Sequence, residues 1–93
     1  MNYKVVLSRN ALKNRRKIPK HILDLFETWV ELIEEEGIFE MQMTKGYRDH
    51  ALKGDRSGQR SSSLNRSWRI IYRLEEITSE VIVEVLEINH HDY

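Results

Sequence analysis

Residues 52–73, LKGDRSGQRSSSLNRSWRIIYR, restrict the fold of this chain more than any other stretch. Gln59 to Leu64 form a short extended run, and Asn65-Arg66-Ser67 form a tight turn in which Asn65 suits an unusual backbone conformation. Trp68 to Leu74 form a second extended run. Trp68, Ile70, Tyr72 and Leu74 share one face of it, and Arg69, Ile71 and Arg73 share the other. Two such runs joined by so short a turn fold back as antiparallel strands. The first strand is nearly all polar, so one of its faces must meet water or a ligand. Arginines at alternate positions beside it make a cationic furrow. Ahead of the strands, Gly54 and Gly58 bracket a loop able to aim backbone N–H groups and Arg56 at a phosphate, although most such glycine pairs are only turns.

The rest of the chain supplies the other layers. Tyr3, Val5 and Leu7 alternate with polar neighbours in a first strand, and Ser8 is placed to cap a helix over residues 9–16 that is basic outside and turns Leu12 inward. Pro19 opens a long helix, where a missing N–H costs nothing. Its Ile22, Leu25, Phe26, Trp29, Leu32 and Ile33, with Ile18 before it, form one apolar stripe that ends at a cap on Gly37. Glu34 to Glu36 read as a solvated face. Ile38, Phe39, Met41 and Met43 cover the end of the helix pair, Lys45-Gly46-Tyr47 form a turn, and Leu52 anchors the following segment in the core. After a turn over residues 75–79, Val81 to Ile88 are the most β-prone stretch and belong inside the sheet. The order β-α-α-β-β-β predicts one α+β domain over residues 1–93. Two helices pack on one face of a mostly antiparallel four-stranded sheet, and the opposite face is left for function.

Composition narrows the chemistry. There is no cysteine, which excludes a disulfide framework and a thiolate metal site. No apolar run approaches the roughly 18 residues that span a bilayer, and the first ten residues lack the apolar core of a signal peptide. The expectation is a cytoplasmic protein with no membrane contact. Net charge is zero, yet the charges come in blocks. Residues 1–23 carry seven Lys/Arg and no acid, and residues 24–44 carry seven acids. Residues 45–73 carry eight bases against two acids, and residues 74–93 carry six acids and no Lys/Arg. Sorted onto separate faces, these blocks leave one strongly positive patch; the alternative is that they pair with each other across the fold.

Three of the four histidines, His50, His90 and His91, flank the furrow, while His21 reads as surface. Metal-free RNA cleavage needs a base to free the 2′-oxygen, cations to hold the phosphorane charge, and an acid to protonate the leaving 5′-oxygen. Imidazoles suit the first and third tasks. Arg69, Arg73, Arg56 and Lys53 suit the second, with Arg60 and His90 as further phosphate contacts. Tyr93 is placed to stack on a base, an interaction worth about 1–3 kcal/mol in single-strand complexes. Plainer alternatives stand beside these. Adjacent histidines at a terminus are often idle, and Arg73 can pair with an acid of the last block. A zinc site from the histidines and Asp92 lacks tight ligand spacing such as HExxH. No cofactor is expected.

The stretch LKGDRSGQRSSSLNRSWRIIYR and the ending VIVEVLEINHHDY resemble the signature of RelE/HigB-type toxins (RelE/ParE superfamily) of bacterial type II toxin–antitoxin systems. In these a Leu-x-Gly-x-Arg-x-Gly-Gln loop leads into a strand ending Leu/Ile-Asn, then an aromatic-Arg and an apolar strand, and a polar tail follows the last strand. The resemblance implies an mRNA endonuclease that cuts translated mRNA at the ribosome. It implies no metal, silencing by a cognate antitoxin, and no DNA contact except through an antitoxin complex. It gives His50 and Lys53 as the His and Lys before the Gly-rich loop. It gives Arg69 as the phosphate-binding and transition-state arginine, His91 as the general acid and Tyr93 as the tail aromatic near the substrate base. The chain departs from the pattern at Ser63, where many members carry a basic residue; Arg60 or Arg73 is the candidate replacement. Without one, the resemblance turns toward ParE-like relatives, which share the fold but act on DNA gyrase without a nuclease site.

Overall fold

The computed structural model describes residues 1–90; His91, Asp92 and Tyr93 lie outside the described residues. Strand β1 (Asn2–Leu7) is followed by helices α1 (Arg9–Lys17), α2 (Lys20–Glu36) and α3 (Ile38–Met43). Strands β2 (His50–Ala51), β3 (Arg60–Ser63), β4 (Trp68–Ile77) and β5 (Glu80–His90) complete a five-stranded sheet in the order β1-β5-β4-β3-β2. The first and last strands pair in parallel and all other pairs are antiparallel. The α+β class and the layering are those expected from the sequence. The sheet gains a fifth strand of only two residues, and the helical layer gains a third, short helix, both from residues 38–51, where no clean period is present.

Ser8 caps α1 through its Oγ, which accepts from the N–H of Ala11 (3.1 Å). Three basic residues, Arg15, Arg16 and Lys17, occupy the last turn, where they complement the helix dipole. Helix α1 buries Ala11, and Leu12, expected to point inward, stays 46% exposed. Successive helix positions lie about 100° apart, so turning Ala11 into the core carries Leu12 toward the side. Gly37 ends α2 at φ 97 and ψ 163, its N–H bonding to Ile33 O at 2.8 Å. A side chain there would meet the Tyr3 ring at about 3.0 Å. Glu34, expected to be simply solvated, accepts from the N–H of Val5 (3.1 Å) and so covers part of the open edge of β1.

The core lies between the helices and the inner face of the sheet, formed by Ile22, Phe26, Trp29, Ile33 and Met41 against Ile70, Tyr72, Val83, Val85 and Ile88. Trp29 stacks on Phe26 (6.0 Å) and meets Tyr72 edge-on (5.6 Å). Its indole N–H donates to Ser62 Oγ (2.9 Å), which explains a serine at a core position of β3. The polar strand is therefore closed on its helix face, where Ser62 is buried, and on its other face Ser61 is buried and Ser63 half-buried. Other differences are local. Leu52 is only half-buried, and in α3 Ile38 and Met41 are buried while Phe39 and Met43 are exposed. Strand β4 runs on to Ile77, so the turn narrows to Thr78-Ser79, with Thr78 at φ 55.

Candidate nucleic-acid interface

One irregularity arranges the face away from the helices. Ile71 pairs with Glu87 and Tyr72 with Val85, which leaves Leu86 as an extra residue in β5. This bulge reverses the alternation, so that Val81, Val83 and Val85 are followed into the core by Ile88. Glu87 and Asn89 are carried to the side of Ile71 and Arg69. Backbone groups around the bulge find partners from α1 and its cap: Ser8 Oγ donates to Leu86 O (2.9 Å), and Asn14 Oδ1 accepts from the N–H of Ile88 (3.1 Å).

Several of the expected phosphate ligands are engaged by carboxylates. Arg56 forms an ion pair with Glu87, and its Nε donates to Gln59 Oε1 (2.9 Å). Asn89 Nδ2 also donates to Glu87 (2.7 Å); this bond and the Arg56 guanidinium hold the Glu87 carboxyl below its usual range. Arg73 Nε pairs with Glu84 Oε1 at 2.6 Å, across the β4–β5 ladder. Arg60 does not reach the furrow. It pairs in register with Tyr72 and so shares the helix side of the sheet with Ser62. There its Nη2 lies 2.6 Å from Asp49 Oδ1.

A different set converges. A hollow of about 140 Å³ is lined by Arg48, His50, Ser61, Ser63, Arg66, Trp68 and Arg69. Three arginines and a histidine face it, and among the described residues no acid does. The ladder explains the grouping, since His50 pairs with Ser61 and Ser63 with Arg69, so alternate positions of three neighbouring strands point the same way. Arg66 comes from the β3–β4 turn, which is tied by Asn65 Oδ1 accepting from the N–H groups of Ser67 (2.9 Å) and Trp68 (2.8 Å). Asn65 thus acts through its side chain; no unusual backbone angle is needed. Arg48 adopts the left-handed conformation, φ 45 and ψ 42, at the end of a 3-10 turn. His50 Nδ1 lies 2.9 Å from Arg48 O. A carbonyl only accepts, so Nδ1 carries the proton and Nε2 is the basic nitrogen. Among the described residues nothing accepts from the buried Nε of Arg69.

Of the residues singled out in the sequence, His50 and Arg69 meet in this hollow. Lys53 is exposed and outside it, while Arg56, Arg60 and Arg73 are paired elsewhere. His90 packs edge-on against Trp68 (5.2 Å), next to the hollow but not among its lining residues. His91 and Tyr93 lie outside the described residues. Arg48 and Arg66 belong to the basic block of residues 45–73, but no motif marked them. Among the described residues, no three His, Asp or Glu side chains group as metal ligands, and no helix is long and apolar enough to cross a membrane.

Neither a family model nor a curated protein sequence matches the chain. Solved structures do. A YoeB/ParE toxin from Agrobacterium tumefaciens superposes with a TM-score of 0.73 at 17% identity, over 96% of this chain and 99% of that one. A chain of the RelBE2 toxin–antitoxin complex from Mycobacterium tuberculosis gives 0.68 at 19% identity, over 98% and 100%. A chain of the YoeB–YefM complex from Staphylococcus aureus gives 0.70 at 14% identity, over 99% and 100%. The chain has the fold of the RelE/ParE-type toxins.

Proposed function

We propose that this chain is the toxin of a toxin–antitoxin pair and acts as an endoribonuclease on translated mRNA, at the ribosome. The observation that carries the proposal is the basic hollow, in which Arg69, Arg48 and Arg66 surround His50 on the face away from the helices. Similar chains solved in complex with an antitoxin support a cognate antitoxin as partner. In the proposed reaction, His50 Nε2 takes the proton from a ribose 2′-hydroxyl. The 2′-oxygen attacks the adjacent phosphorus, a 2′,3′-cyclic phosphate forms and the P–O5′ bond breaks. The arginines hold the charge that builds on the phosphorane oxygens, where preorganised donors are worth most. His91, next in sequence after His90, is assigned the proton given to the leaving 5′-oxygen, and Tyr93 is assigned to stack on a base. No metal ion or cofactor is called on. The charge missing at Ser63 is supplied by Arg48 and Arg66 in place of Arg60 or Arg73.

The test is controlled expression followed by mapping of 5′ ends on translated mRNA. New ends within reading frames are expected, and they should vanish with Arg69→Ala. Growth arrest with intact transcripts would overturn the proposal. One observation favours a second reading: Arg56, Arg60 and Arg73 are each neutralised by a carboxylate, which thins the phosphate-binding surface. A ParE-like toxin acting on DNA gyrase would show supercoiling defects and DNA breaks with intact mRNA.

A further inference from the structure

We infer that Asp49 is a positioning residue for this site. Its carboxylate, pinned on the helix side of the sheet, holds the Arg48–His50 segment so that both residues line the hollow and Nε2 is the His50 nitrogen left to accept a proton. The inference rests on the reading of the hollow as the site of RNA cleavage.

Strand β2 has only two residues and lies at the sheet edge, paired through His50–Ser61 and Ala51–Arg60. Beyond this ladder, Leu52 N bonds to Gln59 O (2.9 Å). So short an edge element frays readily. It is also entered through a strained residue, since Arg48 is a non-glycine residue at positive φ. Yet His50 must keep one orientation if Arg48 O is to fix its tautomer. Some other contact must hold the segment.

Asp49 supplies it. Strand alternation sends consecutive residues to opposite faces, so His50 faces the hollow while Asp49 faces the helices. The Asp49 side chain is fully buried. Its Oδ1 accepts from Arg60 Nε (2.7 Å) and Nη2 (2.6 Å), and its Oδ2 accepts from the Tyr72 hydroxyl. Gln42 Nε2, from α3, donates to the same hydroxyl (3.3 Å). The pin thus ties β2 to β3, β4 and α3 at once. Burial, and then the bond to Asp49, raise the Tyr72 phenol, which keeps it a donor throughout the working range. A buried carboxylate with an arginine and a phenol on it resists displacement, because leaving either oxygen unpaired in that setting is costly.

The test compares Asp49→Asn, His50→Ala and the double variant in single-turnover cleavage. Side-chain nitrogen NMR of His50 is recorded alongside. Asp49→Asn is expected to slow cleavage by about 10²-fold, the usual penalty for misplacing a catalytic group by an ångström, and to convert the single Nδ1–H tautomer into a mixture. In the His50→Ala background it should add much less, only the part that acts through Arg48. Losses that multiply in the double variant, or an unaltered tautomer in Asp49→Asn, would overturn the inference. If Asp49→Asn does not fold, Tyr72→Phe removes one contact and leaves the ion pair; it should mix the tautomers too, and a wild-type spectrum would count against the pin. A wild-type protein that leaves RNA intact sinks the nuclease reading instead, and the tautomer measurement still decides the role of Asp49.

Discussion

Arg69 and His50 line the same hollow although their strands, β4 and β2, are separated by β3. The serines of β3 make this approach possible. Ser61 and Ser63 stand between them on the same face, and neither has the bulk to fill the space. Replacing Arg69 by alanine should lower single-turnover RNA cleavage by about 10²–10³-fold, the usual loss for one preorganised transition-state donor. Thermal stability should barely change, because no described residue bonds to its Nε. A lysine should restore little, since a point charge cannot reproduce the guanidinium fork.

RNA affinity should depend on salt through the arginines of the hollow. Three phosphate contacts to a single strand predict a slope of log affinity against log salt near −2, at about −0.7 per contact. Arg48→Gln and Arg66→Gln should each remove about 0.7 from that slope, while Lys20→Gln should leave it unchanged, because Lys20 sits on α2, paired with Asp24 and remote from the hollow. Titrations at several salt concentrations check this.

Ser62 looks like a surface residue in sequence and is a core residue in the fold. Ser62→Ala should destabilise the domain by about 1–3 kcal/mol, the cost of leaving the buried Trp29 N–H without an acceptor. Urea unfolding followed by tryptophan fluorescence measures it.

Gly37→Ala should cost about 1–3 kcal/mol, since φ 97 with ψ 163 is a glycine conformation. The added methyl would also press on the Tyr3 ring. Thermal unfolding should show the loss with no change in the RNA salt slope.

Acid should weaken the fold partly through Glu87. Its folded carboxyl titrates below the usual range because Asn89 and Arg56 bond to the charged form. That contribution is complete above the unfolded value of about 4.3. It is lost as pH falls through the lower folded value. Glu87→Gln should therefore flatten the acid limb of a stability-against-pH curve and leave its slope near neutrality alone.

Much of this fold was legible in the chain. The 3.6-residue stripe through Phe26, Trp29 and Ile33 and the alternation of Ile70 with Tyr72 mark elements whose one face is buried, and such faces leave a period in sequence. Where a side chain does not face the core, or where a backbone irregularity intervenes, the period is lost. The bulge at Leu86 moves Glu87 onto Arg56, and nothing local in VIVEVLEINH announces it. Two-residue β2 is too short for any alternation to register. The site was half legible. His50 and Arg69 were marked by residue type and by family resemblance, but Arg48 enters the hollow through a left-handed backbone that its sequence does not demand. Arg60 shows the converse. Counting parity from Ser63, which faces Arg69, would have put it on the helix side.

The central claim is that single-stranded RNA lies in the hollow between His50 and Arg69. The most direct measurement is a backbone and side-chain NMR titration with a short RNA whose 2′-oxygens are methylated, so that it binds without being cut. The expected result is shifts concentrated at Arg48, His50, Ser63, Arg66, Trp68 and Arg69, abolished by Arg69→Ala. Shifts confined to the helices, or binding that Arg69→Ala leaves intact, would contradict it.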